Sequence, residues 1–262
     1  MTKATKERLK RIRDLMRDGR MRDAEGLFVI EGSKIVRDVI SSGHAVDLVV
    51  LSSDFAARKE NGEFLREISG RKIPVFTASD AEFEKLSSLR QHQGILATVA
   101  KPERFSRPPE RGKKTISVLC DGIQDPGNLG AMIRTAAAFG ARVVMLSGET
   151  ADVFSPKVVR ASSGTVLDVP VRTCDTEELK ELIKKEGYRL LISCPPGRNS
   201  RDIREFKNAT GHLVLVFGSE GKGVSSEISR MADVFFHIPL SENVESLNVN
   251  AAAAIALYMF SR

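Results

Sequence analysis

The segment of this chain that most suggests a ligand-binding loop is glycine-rich and runs Gly218-Ser-Glu-Gly-Lys-Gly-Val-Ser225. It follows a predicted strand and precedes a predicted helix, an arrangement used to hold phosphates. A Walker A loop needs GxxxxGK followed by Ser or Thr, but Val216 replaces the first glycine and Gly223 replaces the hydroxyl residue. The dinucleotide pattern GxGxxG also fails, because Ser226 stands at its last position. The loop is therefore not an ordinary nucleotide loop, and Glu220 is its one acidic residue.

Two further polar residues lie at an alanine-rich stretch that predicts a helix over 129–139. Asn128 directly precedes this helix, so its simplest role is that of an N-cap. Arg134 lies among apolar residues, where a charged group needs a partner, and a salt bridge is the simplest explanation. Alternatively, a guanidinium can bind a phosphate through two hydrogen bonds. It cannot act as a literal base, because guanidinium keeps its proton in proteins.

The cysteines and histidines indicate neither a disulfide framework nor a metal site. Cys120, Cys174 and Cys194 lie far apart, with no CxxC pair, and the four histidines are equally scattered. We therefore expect free thiols, a reducing compartment such as the cytoplasm, and no metal. No apolar run approaches the ~18 residues that a membrane helix needs, so we expect no membrane partner.

The elements that must position these residues alternate between strands and helices over residues 115–262. Apolar runs predict strands at 116–120, 143–146, 189–193, 213–217 and 234–238, and helical patterns predict helices at 129–139, 177–186 and 247–260. Strands that are apolar on both faces indicate an α/β fold with a mostly parallel sheet covered by helices on both faces. Ligands bind beyond the carboxyl ends of such strands, so the loops that follow them should hold the site.

The first half of the chain predicts a second, smaller α/β domain over residues 23–100. Its predicted strands span 27–30, 47–51, 74–76 and 95–99, and its predicted helices span 32–42 and 80–89. The polar segment Gln91-His-Gln-Gly94 is typical of a turn, with RNA contact as the alternative. Residues 101–114 contain three prolines and little apolar content, which predicts a linker to the second domain.

The net charge of +6 is concentrated at the N-terminus. Residues 1–22 hold nine basic and three acidic residues, whereas the rest of the chain is balanced. Leu9, Ile12 and Met16 are spaced to form one apolar stripe, so we expect a basic helical arm over 1–22. Such a cluster favours a polyanion such as nucleic acid as partner, and the alternative is a solvated helix that packs loosely on the body.

Three segments together carry a family resemblance: DPGNLGAMIRTAAAFGA (125–141), LVFGSEGKGVS (215–225) and IPLSENVESLNVNAAAA (238–254). In order and spacing they resemble the motifs of the SpoU (TrmH) family of RNA ribose 2′-O-methyltransferases, part of the SPOUT superfamily. The segment KVVRASSG (157–164) is also similar to a family segment. The resemblance covers 115–262 and extends more weakly to 23–100, which is similar to the substrate-binding domain of ribosomal-RNA members.

This resemblance implies S-adenosylmethionine as the methyl donor, a homodimer, and a trefoil knot in the C-terminal domain. It also implies a set of catalytic residues: Arg134, Asn128, Glu220, Ser246 and Asn248. We expect Arg134, the central member, to hold the phosphate beside the target ribose, and this phosphate would then accept the 2′-proton. For Glu220 the simpler role is to complement a helix N-terminus, and Ser246 would otherwise cap the final helix.

The residues that we expect to bind the methyl donor are Gly218, Ile238, Leu247 and Ser193. Gly218 permits close approach of a ligand to the backbone, and Ile238 and Leu247 would present backbone atoms and apolar surface to the adenine. Asn250 departs from many relatives, which have a small residue there. It would face either the donor or the dimer seam.

The function that we expect is S-adenosylmethionine-dependent 2′-O-methylation of RNA. The two-domain layout resembles that of family members that act on large-subunit (23S-type) ribosomal RNA, and this resemblance favours that substrate over transfer RNA. A non-catalytic RNA-binding or ribosome-assembly protein with the same fold is the alternative, although all five expected catalytic residues are present. An antibiotic-resistance methylase would use the same chemistry, and only the modified nucleotide separates it.

Overall fold

The computed structural model describes residues 1–102, 114–197, 199–206 and 208–261. The chain divides into two units, Met1–Pro102 with Phe154–Leu167, and Glu103–Val153 with Asp168–Arg262. Most of the predicted linker, at 103–113, lies outside the described residues.

The first unit is built on a five-stranded sheet of order β1-β4-β3-β5-β2. Strand β5 runs antiparallel to both of its neighbours, and the other two pairs are parallel. Its elements up to residue 102 are β1 (Thr2–Lys3), α1 (Lys6–Arg17), α2 (Gly19–Glu25), β2 (Leu27–Glu31), α3 (Ser33–Ser41), β3 (Val46–Ser52), α4 (Ser53–Ala57), α5 (Gly62–Gly70), β4 (Val75–Ala78), α6 (Asp80–Leu86) and β5 (Ile95–Ala100), with a 3-10 turn at Lys59–Asn61.

The basic N-terminal segment is part of this unit and not the separate arm that its charge pattern predicts. Strand β1 extends the sheet beside β4, and α1 buries its apolar stripe. Leu9, Ile12 and Met16, which form the predicted apolar stripe, are all buried in one cluster with sheet residues such as Val50 and Leu96. The burial of this stripe makes α1 a cover for the sheet. The structure thus differs from the predicted domain boundary at residue 22.

Local capping signals explain where helices of this unit begin. The Thr5 hydroxyl accepts a hydrogen bond from the Arg8 N–H at the start of α1. At α6, Ser79 and Glu82 form a capping box, in which each side chain accepts from the backbone N–H of the other residue. These hydrogen bonds from Ser79 hold the pKa of the Glu82 carboxyl below its ordinary value.

The second unit contains a seven-stranded sheet of order β10-β12-β9-β11-β6-β7-β8, and every strand pair in it is parallel. The α/β fold predicted from the apolar runs is therefore confirmed. The elements after residue 114 are β6 (Thr115–Asp121), α7 (Pro126–Ala138), β7 (Val144–Ser147), α8 (Pro156–Ala161), β8 (Val171–Thr173), α9 (Thr176–Glu186), β9 (Tyr188–Ser193), β10 (Ser200–Asp202), β11 (His212–Gly218), α10 (Ser226–Ser229), β12 (Val234–His237) and α11 (Val249–Phe260), with 3-10 turns at Thr165–Leu167 and Ile203–Phe206.

Helix α8 belongs to the first unit, although it lies within the span of the second. The strand and helix patterns of the sequence do not indicate this grouping of residues 154–167 with the first unit. The edge strands β8 and β10 were not predicted from the sequence, because each has only three residues.

The centre of the second sheet brings four strand ends to one edge. Strands β12, β9, β11 and β6 are parallel neighbours, and they end at His237, Ser193, Gly218 and Asp121. Helix α11 packs against α7 and β11 beside these strands. No helix within the described ranges has the length and apolar character of a membrane span.

Candidate functional site

A cavity of about 450 Å³ lies at the carboxyl ends of β9, β11 and β12. This volume is within the range of about 300–1,000 Å³ that small-molecule sites occupy. All four residues that we expected to bind the methyl donor line it, namely Ser193, Gly218, Ile238 and Leu247.

The cavity combines apolar walls with a few charged side chains. Phe217, Leu240 and Val249 contribute apolar surface. Glu220 and Glu245 add carboxylates to the same lining. Lys222 adds an ammonium group, so the pocket suits a ligand that has a flat apolar ring and charged groups of both signs.

The path of the backbone after β11 requires a glycine at position 218. A Cβ atom at this position would overlap the backbone of Gly223 and Val224. The loop after β11 folds back on its own start, because the Ser219 N–H donates to the Gly223 carbonyl at 3.1 Å and the Gly223 N–H donates in return at 2.9 Å. The absence of a side chain at Gly218 therefore accommodates the loop's own backbone, while the residue also lines the first cavity.

A second cavity of about 330 Å³ adjoins this loop. Its lining includes Asp125 and Asn128 from the start of α7. Glu220 and Lys222 line both cavities, so the loop after β11 forms a wall that the two share.

Three of the five expected catalytic residues form one hydrogen-bonded triad. The Asn128 Nδ2 donates to the Glu220 Oε1 at 2.8 Å. The Asn248 Nδ2 donates to the Asn128 Oδ1 at 2.9 Å and to the same Glu220 oxygen at 3.2 Å. The two amides therefore fix the orientation of the carboxylate. We refer to these three residues as the amide–carboxylate triad.

Helix caps explain how the two asparagines reach the triad. Helix α7 begins at Pro126 and is capped by Asp125, whose Oδ1 accepts from the Asn128 N–H at 2.8 Å. The suggestion that Asn128 itself is the N-cap is therefore wrong. Helix α11 is capped by Asn248, whose Oδ1 accepts from the Asn250 N–H at 3.0 Å, and not by Ser246 as the simpler alternative had it.

The other two expected catalytic residues, Arg134 and Ser246, are not members of the triad. Arg134 is exposed on α7 and lines neither of the two cavities, so the premise that it is enclosed by apolar neighbours is wrong. Ser246 lines the first cavity. The Asn250 Oδ1 lies 3.1 Å from the Thr135 hydroxyl, so this side chain joins α11 to α7 within one chain.

Sequence reasoning missed a buried carboxylate beside the site. Asp121, at the end of β6, is 5% exposed and accepts hydrogen bonds from the Ser225 N–H at 2.7 Å and the Ser147 hydroxyl at 2.9 Å. It thereby joins the end of the β11 loop to β6 and β7. An acidic residue that ends an otherwise apolar strand was the available signal.

The thiols near this edge are not activated for nucleophilic chemistry. Burial raises the pKa of the Cys194 thiol, which lines the first cavity, and raises the pKa values of Cys120 and Cys174 to about 12. Over the ranges that the structure describes, no group of three His, Cys, Asp or Glu side chains is arranged to hold a metal ion.

The comparison with known families decides the classification. The model of the SpoU rRNA Methylase family matches residues 115–258, more than half of the chain. This chain belongs to the SpoU rRNA methylase family. A model of the MRM3-like substrate binding domain matches residues 6–97, which includes most of the basic segment. The resemblance carried by the three motifs is confirmed, and with it the class of RNA methyltransferases.

Similar proteins share both units of this SpoU-family chain. A protein named as a TrmH family tRNA/rRNA methyltransferase of Staphylococcus aureus (strain COL) is 30% identical over 237 residues, which are 88% of this chain and 94% of that protein. A structure of an AdoMet-bound rRNA methyltransferase from Sinorhizobium meliloti has a TM-score of 0.84 at 27% identity and covers 99% of this chain and 96% of its own. The SpoU methyltransferase AviRb from Streptomyces viridochromogenes, in complex with AdoMet, has a TM-score of 0.82 at 26% identity, with 97% of each chain covered.

Proposed function

We propose that this chain transfers a methyl group from S-adenosylmethionine to a ribose 2′-oxygen of large-subunit ribosomal RNA. The observation that carries the proposal is the amide–carboxylate triad at the boundary between two cavities, because Glu220 borders both of them. Methyl transfer needs a donor and an acceptor held in line, and adjoining cavities with a shared wall suit this requirement.

The first cavity fits the methyl donor. Ile238 and Leu247 offer backbone atoms and apolar surface to an adenine ring, and Ser193 offers a hydroxyl to polar atoms of the ligand. Glu220 and Glu245 complement a positive charge. S-adenosylmethionine, when bound, supplies a methyl group on a positively charged sulfur.

The second cavity is our candidate for the target ribose. The ribose 2′-oxygen is a weak nucleophile, so its alignment and the loss of its proton must be assisted. Asn128 and Glu220 line this cavity, and Asn248 holds both of them through its amide. The triad would orient the ribose at the shared wall, and Ser246 would add a hydroxyl on the donor side.

Arg134 is our candidate for holding the RNA backbone. It follows Asn128 on the same helix by six residues, a rise of about 9 Å, and its side chain is exposed. A guanidinium binds such a phosphate through two hydrogen bonds, and the phosphate can accept the 2′-proton.

The two-domain organisation supports ribosomal RNA over transfer RNA. The two neighbours described above cover nearly the whole chain, and one of them is described as an rRNA methyltransferase. The proposal includes a homodimer, and the exposed Ile255 and Tyr258 on α11 supply apolar surface for a second copy. It also includes a cytoplasmic location and the C-terminal knot that the family resemblance implies.

The decisive experiment follows labelled methyl groups from S-adenosylmethionine into total RNA and maps alkali-resistant positions. Label at one such position in large-subunit ribosomal RNA supports the proposal. Label in transfer RNA would overturn the substrate, and label at alkali-sensitive positions would overturn ribose methylation. No label from a folded protein would favour the non-catalytic RNA-binding alternative.

The variant Arg134→Ala tests the assigned phosphate contact. We expect it to abolish methyl transfer while leaving donor binding and the free energy of unfolding nearly unchanged, because the side chain is exposed. Loss of donor binding in this variant would show that the residue is structural.

A further inference from the structure

The loop between α6 and β5 in the first unit is anchored at both ends. At its start, the Glu31 carboxylate is 4% exposed and accepts hydrogen bonds from the Ser87 hydroxyl and from the Ser88 N–H and hydroxyl, the last two at 3.2 and 3.0 Å. At its end, the Gln93 Oε1 accepts from the Ser33 N–H at 2.6 Å, which joins the loop to the first turn of α3.

The middle of this loop carries polar side chains, and the hydrogen bonds at its two ends hold it in place. The His92 ring packs on Phe83 with 4.9 Å between ring centroids. Arg90 and Gln91, just before it, are exposed. A polar loop that is already ordered loses little conformational entropy when it binds a partner.

Three more cations surround the anchored loop. Lys34 is exposed in the first turn of α3. Arg160 of α8 donates to the Ser88 hydroxyl, which places α8 beside the loop, and the exposed Lys157 lies three residues earlier on the same helix face. We define Lys34, Arg90, Lys157 and Arg160 as the cationic face.

The charge of the cationic face is not balanced by its own unit. Among the described residues, none of its four cations forms an ion pair with a carboxylate. The nearby Glu31 is buried and occupied by the two serines. Helix α3 adds further positive character, because its N-cap residue Gly32 supplies no side-chain hydrogen bond and the first amides of the helix carry partial positive charge, of which the Ser33 N–H is bonded to Gln93.

We propose that the cationic face is where the first unit binds the phosphate backbone of the RNA substrate. This inference rests on the proposed function, since it takes RNA as the substrate, and it adds which surface of the first unit holds it. Cations of an ordered surface that form no ion pair with a carboxylate can neutralise phosphates and release their counterions, and the Gln91 amide can donate to a ribose or a base edge.

The N-terminal helix is less suited to this role than its composition suggests. Arg11 pairs with Glu25 at 2.6 Å and with Asp47 at 3.3 Å. Arg8 lies over the Phe76 ring, with its guanidinium carbon 3.7 Å from the ring centroid. Arg8 and Arg11 are engaged within the unit, so their phosphate contacts would have to replace existing ones. Three other cations of this helix are exposed and form no ion pair among the described residues, and the helix variant tests them: Lys6, Lys10 and Arg17.

Three variants with the same change of charge test the assignment. Each replaces three cations of the first unit by glutamine. The face variant carries Lys34→Gln, Arg90→Gln and Lys157→Gln, the helix variant carries Lys6→Gln, Lys10→Gln and Arg17→Gln, and the remote variant carries Lys59→Gln, Arg66→Gln and Lys72→Gln. Arg160 is left in place because it contacts Ser88.

The measurement is binding of protein-free large-subunit ribosomal RNA to the full chain between 50 and 200 mM salt. The logarithm of the affinity falls with the logarithm of salt by about 0.7–0.9 per phosphate contact. We expect the face variant to reduce this slope by roughly 2 and to weaken binding at least about tenfold. The helix and remote variants should stay close to the unchanged chain.

Two outcomes overturn the inference. One is an unchanged affinity and slope in the face variant, which would assign the face to solvent or to a protein partner. The other is an equal loss in all three variants, which would mean that only net charge matters. Methyl transfer by the unchanged chain is measured in a separate assay from RNA binding. Its absence would refute the proposed function, whereas the binding slopes would still decide the role of the face.

Discussion

Asn248 performs two tasks with two atoms of one amide, and substitutions can separate them. Its Oδ1 caps α11 by accepting from the Asn250 N–H, and its Nδ2 holds Asn128 and Glu220. Ser and Asp both keep an oxygen that can cap the helix but lose the amide donor. Ala loses both. The three variants Asn248→Ser, Asn248→Asp and Asn248→Ala therefore distinguish a role in stability from a role in the site.

The expected magnitudes follow from these contacts. Loss of an N-cap costs about 1 kcal/mol of unfolding free energy, so Asn248→Ala should be destabilised by this amount, whereas Asn248→Ser, which keeps a capping oxygen, should not. Loss of two hydrogen bonds at about 1 kcal/mol each amounts to roughly 30-fold in rate if the triad orients the ribose. In Asn248→Asp a second carboxylate lies near the Glu220 Oε1, at the 3.2 Å now spanned by the amide. Its repulsion of about 1.3 kcal/mol, even with the dielectric constant of water, should slow transfer about tenfold further.

Urea unfolding and single-turnover methyl transfer at saturating donor measure the two effects. Asp175→Ala is the matched control, because Asp175 caps α9 by accepting from the Glu178 N–H at 2.8 Å and contacts no triad residue. It should lower the unfolding free energy by about 1 kcal/mol without slowing transfer. Unchanged rates in Asn248→Ser and Asn248→Asp would refute the reasoning and leave Asn248 as a helix cap alone.

Three further outcomes are expected. Gly218→Ala should lower the melting temperature strongly and abolish donor binding, because its methyl group would overlap the backbone of the loop. Gly221→Ala is the control in the same thermal scan, and it should leave the melting temperature nearly unchanged because the space around its Cβ is open. Asp121→Ala should lower the unfolding free energy, measured in urea, by about 2–5 kcal/mol, because it leaves the Ser225 N–H without its charged acceptor. A loss below about 1 kcal/mol would contradict the role of Asp121 in holding the β11 loop. Iodoacetamide should modify Cys194 before the two buried cysteines, and bound S-adenosylmethionine should slow the modification of Cys194, as measured by peptide mass mapping. Modification of Cys194 at the same rate with and without the donor would contradict the placement of the donor in the first cavity.

Several functional features were predictable from residue type and position alone. Alternation of apolar runs and helical patterns predicts the parallel sheet, because each strand is buried on both faces. The loops at its carboxyl edge then follow from the topology of such sheets. The four residues expected at the donor line a single cavity for this reason.

Other features depend on contacts between distant parts of the chain. The triad joins residues that are 92 and 120 positions apart, so no local pattern encodes it. The two cap assignments were wrong by two and three residues, because several polar residues near the start of a helix can cap it and the backbone geometry selects one of them. The requirement for Gly218 arises only when the loop folds back on it.

The sequence by itself determined the family, the class of fold and the strands whose ends hold the site, because these rest on periodicity and on motifs read along the chain. The tertiary structure decided what those residues touch. It made the basic N-terminal segment a cover of the first sheet, since burial of Leu9, Ile12 and Met16 stabilises that position. It also assigned residues 154–167 to the first unit, where Arg160 meets Ser88. Burial and hydrogen bonding depend on residues that are distant in the sequence and come together only when the chain folds. The partners of each residue are therefore determined by the tertiary structure and not by local sequence patterns.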